Sequence, residues 1–317
     1  MIVSLEEESV LKALKIIKKA LIAVFALFLA FLIAWGCVIM FYYPHYRKNK
    51  AQLSIPYSSE SADDVKVMSC NVRCFNPLDK GKRSWFYRAD LIMKGIKNTA
   101  PGVIGFQEVT STQYKYLTYS LPEYDSVITY RDKAPNSEGC PVFYRTDLYN
   151  LVDKGTFWLS ETPETMSKGW GAACYRVCSY TILEIKESGK RFVVFNTHLD
   201  HVSEEARING IGVVLDKIKA FGSLPAVIMG DFNAYEDSVT YSRVTENFLD
   251  AKYQTENPPV SCTYQNWGNA LDTGCIDYFM ISKTGMDVKS YKVITDTYDG
   301  VYSSDHFPIY TELTITE

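Results

Sequence analysis

Ala20 to Tyr43 is a run of 24 residues without a single charge, ALIAVFALFLAFLIAWGCVIMFYY. At about 1.5 Å of rise per residue, such a helix is long enough to cross a bilayer. It is too long for the apolar core of a cleaved leader, and no Ala-x-Ala site follows it. Trp35, Tyr42 and Tyr43 sit towards its end, as in an interfacial aromatic belt. Residues 20–43 therefore read as a retained transmembrane anchor. Lys12, Lys15, Lys18 and Lys19 precede it; Arg47, Lys48 and Lys50 follow. The excess of basic residues on the N-terminal side puts that side in the cytoplasm. The expectation is a single-pass membrane protein with an extracytoplasmic domain.

This splits the chain into a cytoplasmic lead-in (1–19), the anchor (20–43), a polar linker (44–64) and one domain (65–317). Of 33 Lys/Arg and 37 Asp/Glu, seven and three fall in residues 1–50, so the rest holds 26 and 34, a net charge of −8. That argues against a broad basic surface for gripping nucleic acid, but not against a nucleotide in a small cleft. Seven cysteines follow the anchor, an odd number that makes no tidy disulfide framework. Cys70/Cys74 and Cys174/Cys178 have spacing permitted for zinc, but the two pairs lie a hundred residues apart and read as buried thiols.

From Val65 onward, short β-rich runs alternate with a few helical patterns. Strands are expected at 65–70, 103–107, 127–130, 142–144, 152–157, 179–185, 192–197, 226–230, 276–281 and 310–315. Helices are expected at about 84–98, with Trp85, Ala89, Ile92 and Ile96 on one side, and from a Ser203 cap to about Phe221. The fold class is α/β, with two packed sheets and helices outside.

Several of these strands end in polar residues. VKVMSCN ends in Asn71; GVIGFQE in Gln107 and Glu108; RFVVFNTH in Asn196, Thr197 and His198; AVIMGDFN in Asp231 and Asn233. CIDYFMI carries Asp277 near its start, and SSDHFPIY carries Asp305 and His306. Any one of them has an ordinary explanation, since Asp, Asn and Gly favour turns. Taken together, they aim hard oxygen donors and two imidazoles from strand ends, which suits Mg²⁺ or Mn²⁺ and phosphoester hydrolysis. There is no Walker phosphate loop, no His-Glu-x-x-His helix and no Gly-x-Ser-x-Gly elbow.

NVR, QE, NTHLDH, GDFNA, IDYF and SDHFP, in that order, resemble the motifs of the endonuclease/exonuclease/phosphatase superfamily, from about Val65 to Ile315. The resemblance implies a four-layered α/β sandwich, two mixed sheets flanked by helices. It implies Glu108 as the principal metal ligand, with Asn71 and Asp305 nearby. Asp231 would orient or deprotonate the attacking water, and Asn233 would bond the phosphate or the water. His306, oriented by Asp277, would contact the phosphate, and His198 would steady the developing charge or help the leaving oxygen. Arg176 and Asn196 would contact substrate. The implied partner is a phosphoester: a lipid head group, a nucleotide or nucleic acid. Sphingomyelinase-like, inositol-phosphatase-like and 3'-5' RNA exonuclease or deadenylase-like activities stand as alternatives, as does a catalytically dead tethered binding module. No obligate protein partner is evident.

Overall fold

The computed structural model describes residues 2–271 and 274–316, with side chains from Glu7 onward. These form two compact units. One is helix α1 (Ile2–Asn49) together with residues 76–87; the other is residues 50–75 together with residue 88 onward.

In the first unit, α1 is the one helix among the described residues long and apolar enough to cross a membrane, with mean hydropathy 2.8 over its most apolar 18-residue stretch. It does not stop where the uncharged run stops. It continues through Pro44 to Asn49, so the first six residues of the expected linker are helical. Residues 76–87 lie against its last turns. The His45 and Tyr87 rings stack at 4.2 Å, and Tyr43 and Tyr46 each meet Phe86 edge-on at 5.4 Å.

The second unit holds two six-stranded sheets. The first runs in the order β13-β14-β1-β2-β6-β4, and the second in the order β11-β12-β10-β9-β8-β7. Sheet one comprises β1 (Asp64–Asn71), β2 (Val103–Gln107), β4 (Tyr124–Val127), β6 (Val142–Arg145), β13 (Met286–Val293) and β14 (Ile309–Ile315). Sheet two comprises β7 (Tyr149–Trp158), β8 (Val177–Ile185), β9 (Arg191–His198), β10 (Ala226–Asp231), β11 (Phe248–Asp250) and β12 (Asp277–Ser282). A small pair, β3 (Val109–Thr110) with β5 (Glu138–Gly139), flanks the cleft described below. Helices α2 (Trp85–Thr99), α3 (Ser111–Ser120), α4 (Glu204–Ala220) and α5 (Val239–Thr245) complete the set. The α/β sandwich expected from the sequence is the observed fold.

Side-chain alternation decides what each strand face does. Val65 and Val67 of β1, Val103 of β2, Val194 of β9, Val227 and Met229 of β10, and Phe279 and Ile281 of β12 form one buried cluster between the sheets. The opposite faces of β9 and β10 carry Phe195 and Ile228, which pack with Ile211, Val214, Leu215 and Ile218 of α4. Ser203 caps α4 by accepting from the Ala206 N–H, as its sequence predicts. On the outer side of sheet one, α2 lies over β1, with Thr99 Oγ1 3.8 Å from Met68 Sδ.

Two glycines mark the closest approaches. A Cβ on Gly105 of β2 would stand 2.5 Å from the Met229 side chain across the sheets. One on Gly230, at φ 135°, would stand 1.9 Å from the Thr197 carbonyl oxygen on β9. The Gly in Gly230-Asp231 is thus dictated by backbone proximity.

The structure departs from two expectations. The remainder of the linker is not a free tether. Ile55 is 1% exposed, its N–H donates to Glu123, and its carbonyl accepts from Arg145. The Leu53 N–H donates to the Ser120 carbonyl. Residues 50–63 therefore form a docked strap, since burying Ile55 outweighs freedom of the chain. The strand expected at 127–130 is instead β4, ending at Val127, because Tyr124 rather than Ile128 pairs with Arg145 of β6.

Candidate active site

The strand face that is apolar in the middle of the sandwich turns polar at one end. On β1 it reads Val65, Val67, Ser69, Asn71; on β10, Val227, Met229, Asp231; on β9, Val194, Asn196, His198. The period of two places Asn71, Asp231 and His198 on the same inter-sheet face at its rim. β12 runs the other way, so its first residue, Asp277, lies opposite Asp231 in the ladder.

Asp231 is the hub. Its Oδ2 accepts from Asn71 Nδ2 at 3.0 Å and lies 3.5 Å from His198 Nε2 and 3.6 Å from His306 Nε2. Its Oδ1 accepts from the backbone N–H of Asn233 at 2.9 Å. The other ring nitrogen of His306, Nδ1, bonds Asp277 Oδ2 at 2.9 Å. Tyr264 covers the same ring with centroids 5.0 Å apart. Glu108 is held from two sides: Oε1 accepts from Asn71 Nδ2 at 3.2 Å, and Oε2 from the Cys74 N–H at 2.8 Å. Asp305 lies 3.8 Å from Arg73 Nε. Three of these residues, Arg73, Glu108 and Asn233, have left-handed backbones at φ 55°, 62° and 48°. Such strain in non-glycine residues persists only where the surroundings enforce it.

Electrostatics separate the groups. Burial, joined by the Asp277 charge, pushes Asp231 up to about 7. Burial opposes the His306 cation, yet Asp277 and Asp231 outweigh it and lift the ring to about 10. His198 goes the other way: burial, with Arg176 and His306 adding to it, drives it well below 6.5. Burial works against the charge of Glu108, but the Cys74 N–H, His306 and the Asn71 amide hold it below its ordinary value. Asp305 is raised by burial and by Glu108. The site thus pairs a cationic imidazole with a neutral one, beside a carboxylate poised near neutrality.

Asn71 and Asp277 are buried behind the others, which line a cavity of about 560 Å³ together with Arg131, Arg176, His201 and Tyr235. Arg176 Nη2 bonds His201 Nδ1 at 3.0 Å, and its Nε lies 3.5 Å from Asp200. Burial would raise Asp200, but backbone N–H groups, those of Ser203 and Val202 first, hold it at about 2. Nine of the ten residues expected at the site are here: Asn71, Glu108, Arg176, His198, Asp231, Asn233, Asp277, Asp305 and His306.

Asn196 is not. It lies one layer deeper, fully buried, with Nδ2 donating to the Phe106 and Pro141 carbonyls at 2.8 Å each and Oδ1 accepting from Gln107 Nε2 at 2.6 Å. It stitches the sheets together and does not line the cavity. Conversely, Arg73, Arg131, His201 and Tyr264 face the cleft without having been assigned a role. Arg73 and His201 stand inside the NVR and NTHLDH motifs, whereas Arg131 has no local signal.

The donor set suits a hard divalent cation. Glu108, Asp231, Asp277 and Asp305 bring four carboxyl groups to one buried rim, and the upward shifts of Asp231 and Asp305 are those of acids short of positive charge. Among the described residues, the ligand-type groups within 4.8 Å of one another are Asp231, Asp277 and His306. A protonated His306 bonded to Asp277 is no ligand, so the groups able to hold an ion at this rim are carboxylates.

The Endonuclease/Exonuclease/phosphatase family model matches residues 68–306. The chain belongs to that family. It is a metal-dependent hydrolase of phosphoester bonds. A solved endonuclease/exonuclease/phosphatase from Bacteroides vulgatus is 34% identical with TM-score 0.75, covering 80% of this chain and 99% of that one. The mannosyl-6-phosphatase of Bacteroides thetaiotaomicron is 33% identical with the same TM-score, covering 79% and 100%. The CCR4-Not complex 3'-5'-exoribonuclease subunit Ccr4 of Candida albicans is 23% identical over 228 residues; the match takes in 57% of this chain and 28% of that protein.

Proposed function

We propose that the chain is a membrane-anchored phosphoesterase, dependent on Mg²⁺ or Mn²⁺, that hydrolyses a small anionic phosphoester of the sugar-phosphate class. The observation that carries this reading is the hub at Asp231, within 3.6 Å of both imidazoles and bonded to Asn71. A volume of about 560 Å³ suits a small molecule better than a polymer. Arg73, Arg131 and Arg176 on its walls suit phosphate. The likeness to a mannosyl-6-phosphatase supports the same class.

Asp231, whose pKa burial raises towards neutrality, accepts the proton of the attacking water in its ionised form. His306, cationic and aligned by Asp277, donates a hydrogen bond to a phosphoryl oxygen. His198, neutral, remains available to the leaving oxygen. Asn233 gives one amide hydrogen to the Leu199 carbonyl and keeps the second for the phosphate or the water. Glu108, with Asn71 and Asp305, would hold the cation, which supplies charge neutralisation at the phosphoryl oxygens. The apolar stretch of α1 anchors the domain, with the lead-in in the cytoplasm and the catalytic domain outside.

The test is hydrolysis of hexose 6-phosphates, single-stranded oligonucleotides, sphingomyelin and inositol phosphates with Mg²⁺ or Mn²⁺, beside EDTA and Asp231→Asn controls. Release of phosphate from the sugar phosphate, lost in both controls, is expected. Faster cleavage of an oligonucleotide or lipid would overturn the substrate class. Turnover by Asp231→Asn would overturn the mechanism.

A further inference from the structure

The 26 basic and 34 acidic residues after Lys50 make that part of the chain repel an anionic surface. Residues 76–87, NPLDKGKRSWFY, run against this trend, with Lys80, Lys82 and Arg83 against Asp79 alone. The segment packs on α1 just beyond its uncharged run, through rings typical of a membrane–water boundary. Tyr42 and His45 meet Tyr87 at 6.2 Å and 4.2 Å, and Tyr43 and Tyr46 meet Phe86 at 5.4 Å. Lys82 Nζ stands 5.8 Å from the Tyr87 ring. Lys80, Lys82 and Arg83 are exposed, as are Arg47 and Lys48 on the same end of α1. Leu78, at the tip, is 69% exposed.

We infer that residues 76–87 and the end of α1 form a collar that binds the anionic phospholipid head groups around the span. The inference rests on α1 spanning the membrane. Aromatic side chains prefer the head-group level, and juxtamembrane basic clusters are drawn to anionic lipid. A partition gain of about fivefold per basic side chain at such a surface makes the cluster of five selective for charge and sensitive to salt. Leu78 adds an apolar contact at the acyl boundary. The partner is the lipid surface itself.

The test uses the full-length chain in nanodiscs of phosphatidylcholine alone or with about one third phosphatidylglycerol. Hydrogen exchange of the 76–87 amides is read by mass spectrometry. Exchange should slow at least fivefold in the anionic discs, recover in 0.5 M salt on the order expected of screening, and stay fast in the Lys80→Glu/Lys82→Glu/Arg83→Glu variant. Equal exchange in both lipids, or slowing unaffected by the triple variant, would overturn the collar. Extraction of the protein from vesicles by alkaline carbonate would overturn the span instead, a separate readout.

Discussion

Asn196 separates two roles that its motif alone does not distinguish. As a substrate contact, its removal would raise KM and leave the fold intact. As an inter-sheet stitch, its removal is a stability event. Asn196→Ala deletes three hydrogen bonds in a site with no exposure. Gln107 Nε2 keeps Ser69 Oγ at 3.1 Å, and the Pro141 carbonyl keeps the Phe106 N–H. The Phe106 carbonyl and one Gln107 donor direction lose their side-chain partner. At about 1–3 kcal/mol for each buried group left unsatisfied, and with a void where the amide was, the loss is roughly 3–5 kcal/mol. For a domain of this size that is a fall in Tm of about 8–15 °C. Asn196→Asp should be worse, because it turns carboxylate oxygens towards two carbonyl oxygens and buries a charge. The assay is thermal unfolding of the full chain in mild detergent, followed by the near-ultraviolet dichroism of its aromatics. A Tm within about 2 °C of the parent, together with a raised KM, would refute the stitch and restore the substrate contact.

Asp277→Asn should lower the His306 pKa from about 10 by about two units, the effect of one close carboxylate. In the parent the cation's stabilisation is complete below 6.5 and is lost as pH rises through about 10. In the variant it is lost by about 8, so the alkaline limb of kcat/KM should move down by that amount, and an unmoved limb would show that Asp277 does not tune the ring. Arg176→Ala should cut kcat/KM by about 10- to 100-fold, mostly through KM, since a charged hydrogen bond contributes about 1.5–3 kcal/mol. Arg176→Lys should recover little of it, and full recovery would mean that the fork against Asp200 and His201 does not matter.

Much of this was legible in the sequence because each strand carries its own alternation and its own polar end. β2 is observed at the predicted residues, and β1, β9, β10 and β12 within one or two of them, since tightly buried apolar runs leave little room for another register. The polar ends converge because they share a face. β13 is less legible: its residues Met286–Val293 alternate only partly and it is an edge strand, where packing constrains composition weakly. α3 and α5 are short and poor in apolar spacing, so tertiary contacts rather than periodicity define them. Asn196 was misplaced for a geometric reason. Two residues along a strand lie on the same face but about 7 Å apart in depth, and motif adjacency cannot tell the rim from the layer below. Arg131 reaches the cleft beside β5, paired with Glu138 at 2.8 Å, and no local pattern announces such an approach.

The strand order also sets a timetable. β14 lies between β13 and β1, and it joins the segment bearing Asp305 and His306 to the strand that ends in Asn71. The first member of the constellation is therefore made more than two hundred residues before the last. A chain emerging from the ribosome cannot close sheet one until residues 309–315 arrive, so hydrolysis is withheld until then. Pairings across such separations close slowly. In the membrane-anchored form proposed above, this would keep the phosphoesterase silent until the rest of the polypeptide had followed the N-terminal helix to its destination.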